Sequence, residues 1–263
     1  MLRLGSPKWR RWVSPTLRWY HATGSLQAKK GVCPSEPPPV AIVLCGCGAL
    51  DGTEISEAMS LIYHCCGKSL RPCFYAPQVD ICGVMNHLTM EPDTCGVPRN
   101  AMVESARLAR SNLRPLCDCK ACNAEALFIP GGFGVAKTLS DFATKGSECV
   151  VQPDLKNAIE DFACSRKPIA AMCIASAIAA RVLKGAKVTL GKDKPPELWP
   201  YADAIAQVQK MGACVELKDV KGVTYCTKHN LFTTPAWLYA AATYSEIHQG
   251  IGNLVCAVAQ AIK

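Results

Sequence analysis

Short apolar runs alternate with helical patterns from residue 40 onward. Apolar runs of four or five residues predict strands, and an apolar residue recurring every three or four positions predicts helices. The predicted strands are 40–44, 72–75, 126–129, 169–172 and 187–190. The predicted helices are 55–64, 99–111, 155–164 and 174–183. Strands that are apolar throughout and separated by helices indicate a mainly parallel sheet buried between two helical layers, as in a flavodoxin-like three-layer sandwich.

The pattern changes after about residue 195. Shorter strands are predicted at 214–217, 223–226 and 231–234. A long helical pattern then covers 236–262, and we expect Gly250 and Gly252 to break it. No internal repeat and no change of composition divides the chain after residue 39, so a single α/β domain over 39–263 is the expected arrangement.

Charge is concentrated in the first thirty residues. They hold seven of the 29 Lys and Arg residues and none of the 21 acidic residues. The chain after residue 30 is therefore nearly neutral, although the full chain has a net charge of +8. A basic, acid-free leader is typical of a mitochondrial transit peptide, which we place with its linker at 1–38. A neutral body gives no electrostatic footprint for nucleic acid, and no apolar stretch is long enough to span a membrane. The 17 cysteines are expected to be reduced in the matrix.

One cysteine has a local sequence that supplies a mechanism. Cys173 follows the apolar run 169–172 and precedes a run of small helix formers. A thiol at such a strand–helix turn resembles a nucleophile elbow, and the positive end of a helix lowers the pKa of a cysteine. Ala171 and Ala175 stand where other nucleophile elbows carry glycine.

Two glycine-rich loops are expected beside this turn. In an open α/β sheet, sites form at the carboxyl ends of the strands, where the loops 45–53 and 131–137 also begin. Gly131 and Gly132 predict main-chain N–H groups that bind an oxyanion together with the N–H of Ile174. Alternatively, these glycines only allow a tight turn.

The motifs together resemble the class I glutamine amidotransferase-like superfamily, which includes the PfpI proteases and the Parkinsonism-associated deglycase. The ElbB-like branch, with its mitochondrial ES proteins of vertebrates, is the closer match. The resemblance covers about residues 40–260. It rests on the segments CGCGALDGTEISEA at 45–58, NHLT at 86–89, GGFGVAKTLSDFA at 131–143, KPIAAMCIA at 167–175 and TTPA at 233–236.

This resemblance implies a nucleophilic cysteine and a glutamate from the first helix. Cys173 matches the cysteine. Glu57 is preferred as the glutamate and Glu54 is the alternative, because Glu54 has capping-box spacing from Asp51 and is then occupied at the helix start. The glutamate must be protonated or share a proton with the thiol, since an ionised carboxylate raises the pKa of a neighbouring thiol. The resemblance also places His87 and Thr234 at the rim of the pocket.

Two departures from the superfamily narrow the expected chemistry. Ile174 follows the cysteine where the proteases carry histidine, and neither His229 nor His248 begins the His-x-Glu pair of a glutaminase. The Cys–Glu site that remains suits attack on small reactive carbonyls, by glyoxalase or deglycase chemistry without a cofactor. The alternatives are a redox-sensing protein with an oxidisable Cys173 and an amidase that needs another subunit. Relatives of this kind imply a homodimer.

The other candidate ligands are weaker. Cys117, Cys119 and Cys122 have metal-like spacing but no fourth ligand nearby, so we expect no metal site there. Cys45 and Cys47 lie near the expected site. We expect them to pack as small apolar side chains, and a redox role is the alternative. His64 is expected to be structural.

Overall fold

The computed structural model describes residues 36–94 and 96–262. The expected transit peptide therefore lies almost wholly outside the described residues. The strands, in chain order, are β1 (Pro39–Val43), β2 (Arg71–Ala76), β3 (Met85–Asn86), β4 (Glu91–Pro92), β5 (Leu113–Pro115), β6 (Leu127–Ile129), β7 (Ile169–Met172), β8 (Lys187–Val188), β9 (Cys214–Val215), β10 (Thr224–Cys226) and β11 (Leu231–Thr234). The α-helices are α1 (Ile55–Gly67), α2 (Ala101–Ala109), α3 (Phe133–Lys137), α4 (Phe142–Lys145), α5 (Pro153–Cys164), α6 (Ala175–Val182), α7 (Asp203–Lys210) and α8 (Tyr244–Ala261).

Seven strands form the central sheet in the order β10-β11-β7-β6-β1-β2-β5. All neighbours are parallel except β10 and β11. Helix α1 packs against α2 and α8, whereas α6 packs against α3, α5 and α7, which gives a helical layer on each side of the sheet. This is the expected flavodoxin-like, three-layer α/β arrangement.

The central strands β1, β6 and β7 are buried along almost their whole length. They are covered on both faces, which explains why their sequences are apolar without alternation. The chain leaves β1 toward β2 on one side and returns to β6 on the other, so strand order reverses between β1 and β6. Such a reversal leaves a crevice at the carboxyl ends of the strands, where α/β proteins place their ligands.

The expected break in the last helix is wrong. Helix α8 runs without interruption through Gly250 and Gly252, and it begins at the capping box of Thr243 and Glu246. A Cβ atom at Gly250 would lie 2.6 Å from the carbonyl oxygen of Val220. One at Gly252 would lie 2.6 Å from the His64 ring. Close packing, and not a helix end, therefore requires glycine at both positions.

The expected capping box at the start of α1 is also wrong. Glu54 is itself the N-cap, and its side chain accepts from the N–H of Glu57. Asp51 lies outside the helix, where its buried carboxylate accepts from the N–H of Met85 at 2.8 Å. The carboxylate of Asp51 thus ties the β3–β4 hairpin to the loop after β1.

Elements at the margins of the sheet differ most from the sequence-based expectation. Strand β8 pairs with β9 in a separate two-stranded sheet and does not extend the main one. The edge strand β5 and helix α7 were not predicted. Strand β5 has only three residues, one of them proline. Helix α7 buries just three residues, so its sequence is largely polar.

Candidate active site

Cys173 lies on the sharp turn between β7 and α6. Its backbone has φ +54°, a left-handed conformation that costs a non-glycine residue about 1–3 kcal/mol and is found mainly at functional sites. The N–H of Cys173 donates to the carbonyl oxygen of Thr234 at 3.0 Å, which fixes the turn to β11. The residue is only 8% exposed. The turn therefore holds a single thiol, nearly closed from solvent, at the carboxyl edge of the sheet.

The carboxyl group of Glu57 lies beside this thiol. Glu57 is fully buried on the first turn of α1. Its Oε2 accepts from the N–H of Gly131 at 2.7 Å, and its Oε1 accepts from the N–H of Trp237 at 3.5 Å. The thiol of Cys173 is hydrogen-bonded to the same carboxyl. Glu57 is thus held from three sides, by the loops after β6 and β11 and by the elbow.

Gly131 allows the side chains of Cys173 and Glu57 to approach each other. A Cβ atom at this position would lie 2.5 Å from the Cβ of Cys173 and 2.8 Å from Oε2 of Glu57. Real Cβ atoms do not approach other atoms so closely. Any side chain at position 131 would therefore push the thiol and the carboxyl apart.

The main-chain donors are shared between the thiol and the carboxyl. The N–H groups of Gly132 and Ile174 point at the sulfur of Cys173. The N–H of Gly131, expected among the oxyanion donors, instead donates to Glu57. Gly132 also has φ +98°, and a Cβ there would overlap the carbonyl oxygen of Gly52. Two N–H groups, not three, are consequently directed at the sulfur of Cys173.

Burial raises both pKa values of the pair. The pKa of Glu57 rises from 4.5 to about 8, because burial disfavours the charged carboxylate and the charge of Glu54 adds to the effect. The pKa of Cys173 lies well above its ordinary value, first because of burial and then because of Glu57. The N–H groups of Ile174 and Gly132 oppose that rise without cancelling it. The expectation of a lowered thiol pKa is therefore wrong, and at neutral pH both groups hold their protons.

Glu54, the alternative partner for the thiol, is occupied elsewhere. Its Oε2 accepts from the N–H of Glu57 at 2.6 Å and from the hydroxyl of Ser56 at 2.6 Å. The structure thus places Glu57 at the thiol and Glu54 at the helix cap.

The side chains of both residues expected at the pocket rim are hydrogen-bonded to other groups. Thr234 is fully buried, and its hydroxyl donates to the carbonyl oxygen of Gly222 at 2.8 Å. The main-chain carbonyl oxygen of Thr234 instead accepts the hydrogen bond from the N–H of Cys173. His87 lies on the β3–β4 hairpin, where Nε2 accepts from the N–H of Leu50 at 3.2 Å. His87 therefore braces the loop after β1.

Sequence reasoning missed two aromatic residues near the pair. Trp237 donates its main-chain N–H to Glu57 and its indole Nε1–H to Ser56 Oγ at 2.7 Å. Tyr201 packs edge-on against Phe133, with ring centroids 5.9 Å apart. Burial and then Cys173 raise the pKa of Tyr201. Trp237 follows the TTPA motif directly, which was the only available signal. No local sequence pattern indicated Tyr201, because this residue lies in an irregular segment before α7.

The cysteines with metal-like spacing differ in exposure, and the redox candidate Cys45 is buried. Cys119 is buried whereas Cys117 and Cys122 are exposed, and the part of the chain that the structure describes holds no group of three or more potential metal ligands. Cys45 is buried, its Sγ lies 3.6 Å from the carbonyl oxygen of Gly134, and its pKa is raised to about 12, mainly by burial. An un-ionised, buried thiol behaves as a small apolar side chain.

The fold and this pair define a class I glutamine amidotransferase-like domain with a Cys–Glu site. No family model matches the chain. The chain is 38% identical over 217 residues to the human glutamine amidotransferase-like class 1 domain-containing protein 3, mitochondrial, covering 82% of this chain and 80% of that protein. It is 36% identical over 253 residues to the rat ES1 protein homolog, mitochondrial, covering 96% and 94% of the two chains.

A solved structure agrees with these relatives. It is an isoprenoid biosynthesis protein with an amidotransferase-like domain from Ehrlichia chaffeensis, 28% identical, with a TM-score of 0.76 over 86% of this chain and all of that one. The chain therefore belongs to the ES1 family of class I glutamine amidotransferase-like proteins.

Proposed function

We propose that this chain is a mitochondrial enzyme that converts small reactive carbonyls through Cys173 and Glu57 without a cofactor. The observation that carries the proposal is the close, buried approach of the Cys173 thiol and the Glu57 carboxyl around Gly131, and burial raises the pKa of that carboxyl to about 8. The mitochondrial names of the human and rat relatives and the acid-free leader support the location. Import into the matrix is part of this proposal, as are a transit peptide with its linker over 1–38 and a domain over 39–263.

The first step is addition of the thiol to the aldehyde carbon of methylglyoxal. The sulfur–carbon bond forms as the carbonyl double bond opens, and Glu57 relays the thiol proton to the carbonyl oxygen. The product is a hemithioacetal. The N–H groups of Gly132 and Ile174 stabilise the charge that develops on that oxygen as the bond forms.

The second step moves a proton between the two substrate carbons. One oxygen of the Glu57 carboxyl takes the proton from the carbon bonded to sulfur while the other gives its proton to the ketone oxygen, which forms an enediol. The carboxyl then protonates the neighbouring carbon and takes the hydroxyl proton from the carbon bonded to sulfur, which forms a thioester and leaves Glu57 protonated. The resulting thioester is hydrolysed by water, so Cys173 recovers its thiol and lactate leaves. The overall change is the addition of one water to methylglyoxal, with no net oxidation.

Glutamine hydrolysis fits the site less well. A glutaminase histidine must accept the thiol proton. Nε2 of His229 instead bonds to the carbonyl oxygen of Lys184, and Nδ1 of His248 bonds to Ser60 Oγ. Both histidines are therefore held by other groups.

The test uses the full chain, methylglyoxal and chiral analysis of lactate. We expect one lactate enantiomer from the wild type and loss of at least about 100-fold in Cys173→Ala and Glu57→Gln. Cys82→Ala, at an exposed cysteine, is the matched control and should retain full activity. Absence of turnover in the wild type would overturn the proposal. A peroxide-dependent gain of two oxygens at Cys173 would then favour the redox-sensing alternative.

A homodimer is part of the proposal. It is supported by large apolar side chains exposed on α1 and at the start of α8, namely Tyr63 at 65% and Tyr244 at 73%. Light scattering coupled to gel filtration should give twice the chain mass, and the chain mass alone would contradict this.

The part of the chain that the structure describes offers no helix long and apolar enough to cross a membrane.

A further inference from the structure

Lys137 lies at the end of α3, the short helix that begins directly after Gly132. Its Nζ lies 5.2 Å from the centre of the Phe133 ring and donates to the carbonyl oxygen of Leu50 at 3.1 Å. Residues four apart share one face of a helix, and the negative face of an aromatic ring attracts an ammonium group. Two contacts therefore fix the position of this ammonium.

The charge of Lys137 has no acid beside it. Four lysines of the described chain are half-buried, namely Lys137, Lys167, Lys192 and Lys218. The last three each have a carboxylate oxygen within 3.3 Å, whereas no carboxylate among the described residues lies within ion-pair distance of Lys137. An ammonium has three N–H donors, and Leu50 takes one of them. Lys137 thus has a positive charge and two donors for a group from outside the chain.

The two acids that follow Leu50 in sequence bind other groups. The buried carboxylate of Asp51 accepts from the N–H of Met85 at 2.8 Å. The side chain of Glu54 caps helix α1. The loop that holds the ammonium through Leu50 therefore supplies no counter-ion for it.

Phe133 connects this ammonium with the thiol. A Cβ atom at Gly131 would lie 3.1 Å from the sulfur of Cys173, and Phe133 is the second residue after Gly131. Two residues of chain span at most about 7 Å, so the Cα atom of Phe133 lies within about 12 Å of that sulfur. The Phe133 ring also packs edge-on against Tyr201. A short carbon chain bonded to the sulfur can therefore lie along these rings with its far end at Lys137.

We propose that Lys137 is the anion-binding residue of this site, and that the substrates are α-oxoaldehydes with a carboxylate at the end opposite to the aldehyde. This inference rests on the proposed function and names the substrate class of the same site. The two remaining N–H groups of Lys137 bind the carboxylate through charge-assisted hydrogen bonds. Phe133 and Tyr201 line the carbon chain between the carboxylate and the sulfur.

The chemical steps are those proposed for methylglyoxal. The thiol adds to the aldehyde carbon, a proton moves between the two carbons, and water cleaves the thioester. The product is a dicarboxylate with a hydroxyl group on carbon 2. The overall change is again the addition of one water, with no net oxidation.

The experiment compares 4,5-dioxopentanoate with 2-oxopentanal, an α-oxoaldehyde of the same length without the carboxylate, in the full chain. In the wild type we expect kcat/KM to be at least about tenfold higher for the charged substrate, as for a hydrogen bond between charged groups. Lys137→Met should abolish this preference, whereas Lys137→Arg keeps the charge and should retain most of it. Lys156→Met is the matched control, since it removes an exposed lysine from α5, and should keep the preference of the wild type.

Salt gives a second measurement that does not depend on a substitution. Salt screens interactions between accessible charges. The preference of the wild type should therefore fall as the ionic strength rises. A wild type without the preference, a preference that salt leaves unchanged, or one that survives in Lys137→Met would overturn the inference.

A binding measurement separates this inference from the proposed reaction. 4-Oxopentanoate has the carboxylate and a ketone but no aldehyde, so it binds without turnover. Isothermal titration in Cys173→Ala, alone and combined with Lys137→Met, should show at least about tenfold weaker binding in the double variant. Binding that depends on Lys137 without lactate formation refutes only the proposed reaction. Lactate formation with equal binding in both variants, or with binding in neither, refutes the role of Lys137 alone.

Discussion

Glu57 should make the protein less stable as the pH rises from 5 to 8. Below pH 4.5 the carboxyl is protonated in the folded and the unfolded chain alike, so it adds no pH dependence. Between 4.5 and about 8, the unfolded chain releases this proton while the folded chain retains it. The unfolded state gains free energy over that window, and stability is lost as the pH passes through it.

The size of this effect follows from the two pKa values. A change from 4.5 to about 8, at about 1.4 kcal/mol per pH unit, corresponds to a ceiling of about 5 kcal/mol. We expect a loss of about 3–5 kcal/mol, because relaxation around a buried charge reduces the ceiling. Glu57→Gln cannot ionise, and should lack this loss.

Urea unfolding of the wild type and Glu57→Gln at half-unit steps from pH 5 to pH 8 measures the difference directly. Groups with lowered pKa values, such as Glu216 and Glu246, titrate below this window and cancel in the comparison. The free-energy difference should grow with pH in favour of the variant. Parallel curves across the window would show that Glu57 ionises normally and would refute the reasoning.

Three further substitutions test the packing at Gly131 and along helix α8. Gly131→Ala inserts a methyl group between thiol and carboxyl, so lactate formation should fall at least tenfold and the free energy of unfolding by about 1–3 kcal/mol; an active, stable variant would contradict the geometry. Gly252→Ala should cost about 1–3 kcal/mol through its clash with His64, and His64→Ala should recover most of that loss in urea melts, whereas additive losses would not fit. Thr243→Ala should lower stability by about 1 kcal/mol by removing the α8 cap, and Thr243→Ser should not; equal melts for both would argue against the cap.

The central strands and the position of Cys173 on a strand–helix turn could be predicted from local sequence. The apolar runs before Cys173 and before Gly131 are long enough to indicate buried strands, and parallel strands bring their carboxyl ends together. The preference for Glu57 over Glu54 rested on the spacing that the resemblance implies and on the occupation of Glu54 at the helix start. The strands and the turn needed only neighbours in sequence or in strand order, whereas the glutamate also needed the resemblance.

The misplaced expectations depended on contacts between distant segments. Gly250 and Gly252 look like helix breakers, because propensity describes an isolated helix and not one packed against the His64 ring. The charge environment of the site was misjudged for the same reason. A helix terminus lowers a thiol pKa in water, but at Cys173 burial beside Glu57 outweighs it. The hydrogen bond from Trp237 to Ser56 follows a positive φ at Ala236. An alanine in the sequence does not indicate such a backbone conformation.

A neutral thiol–carboxyl pair favours carbonyl substrates over amides. In a Cys–His site the imidazole takes the thiol proton before attack, and the resulting ion pair supplies both a thiolate and an acid for the leaving amine. The buried carboxyl of Glu57 holds its own proton, so the thiol of Cys173 loses its proton only as the sulfur–carbon bond forms. An aldehyde oxygen accepts that proton at once and needs no leaving group. An amide needs a stronger nucleophile and a protonated nitrogen, and His229 and His248 are bonded elsewhere. We therefore propose that the protonated carboxyl of Glu57, together with two histidines bonded to other groups, separates this site from a glutaminase.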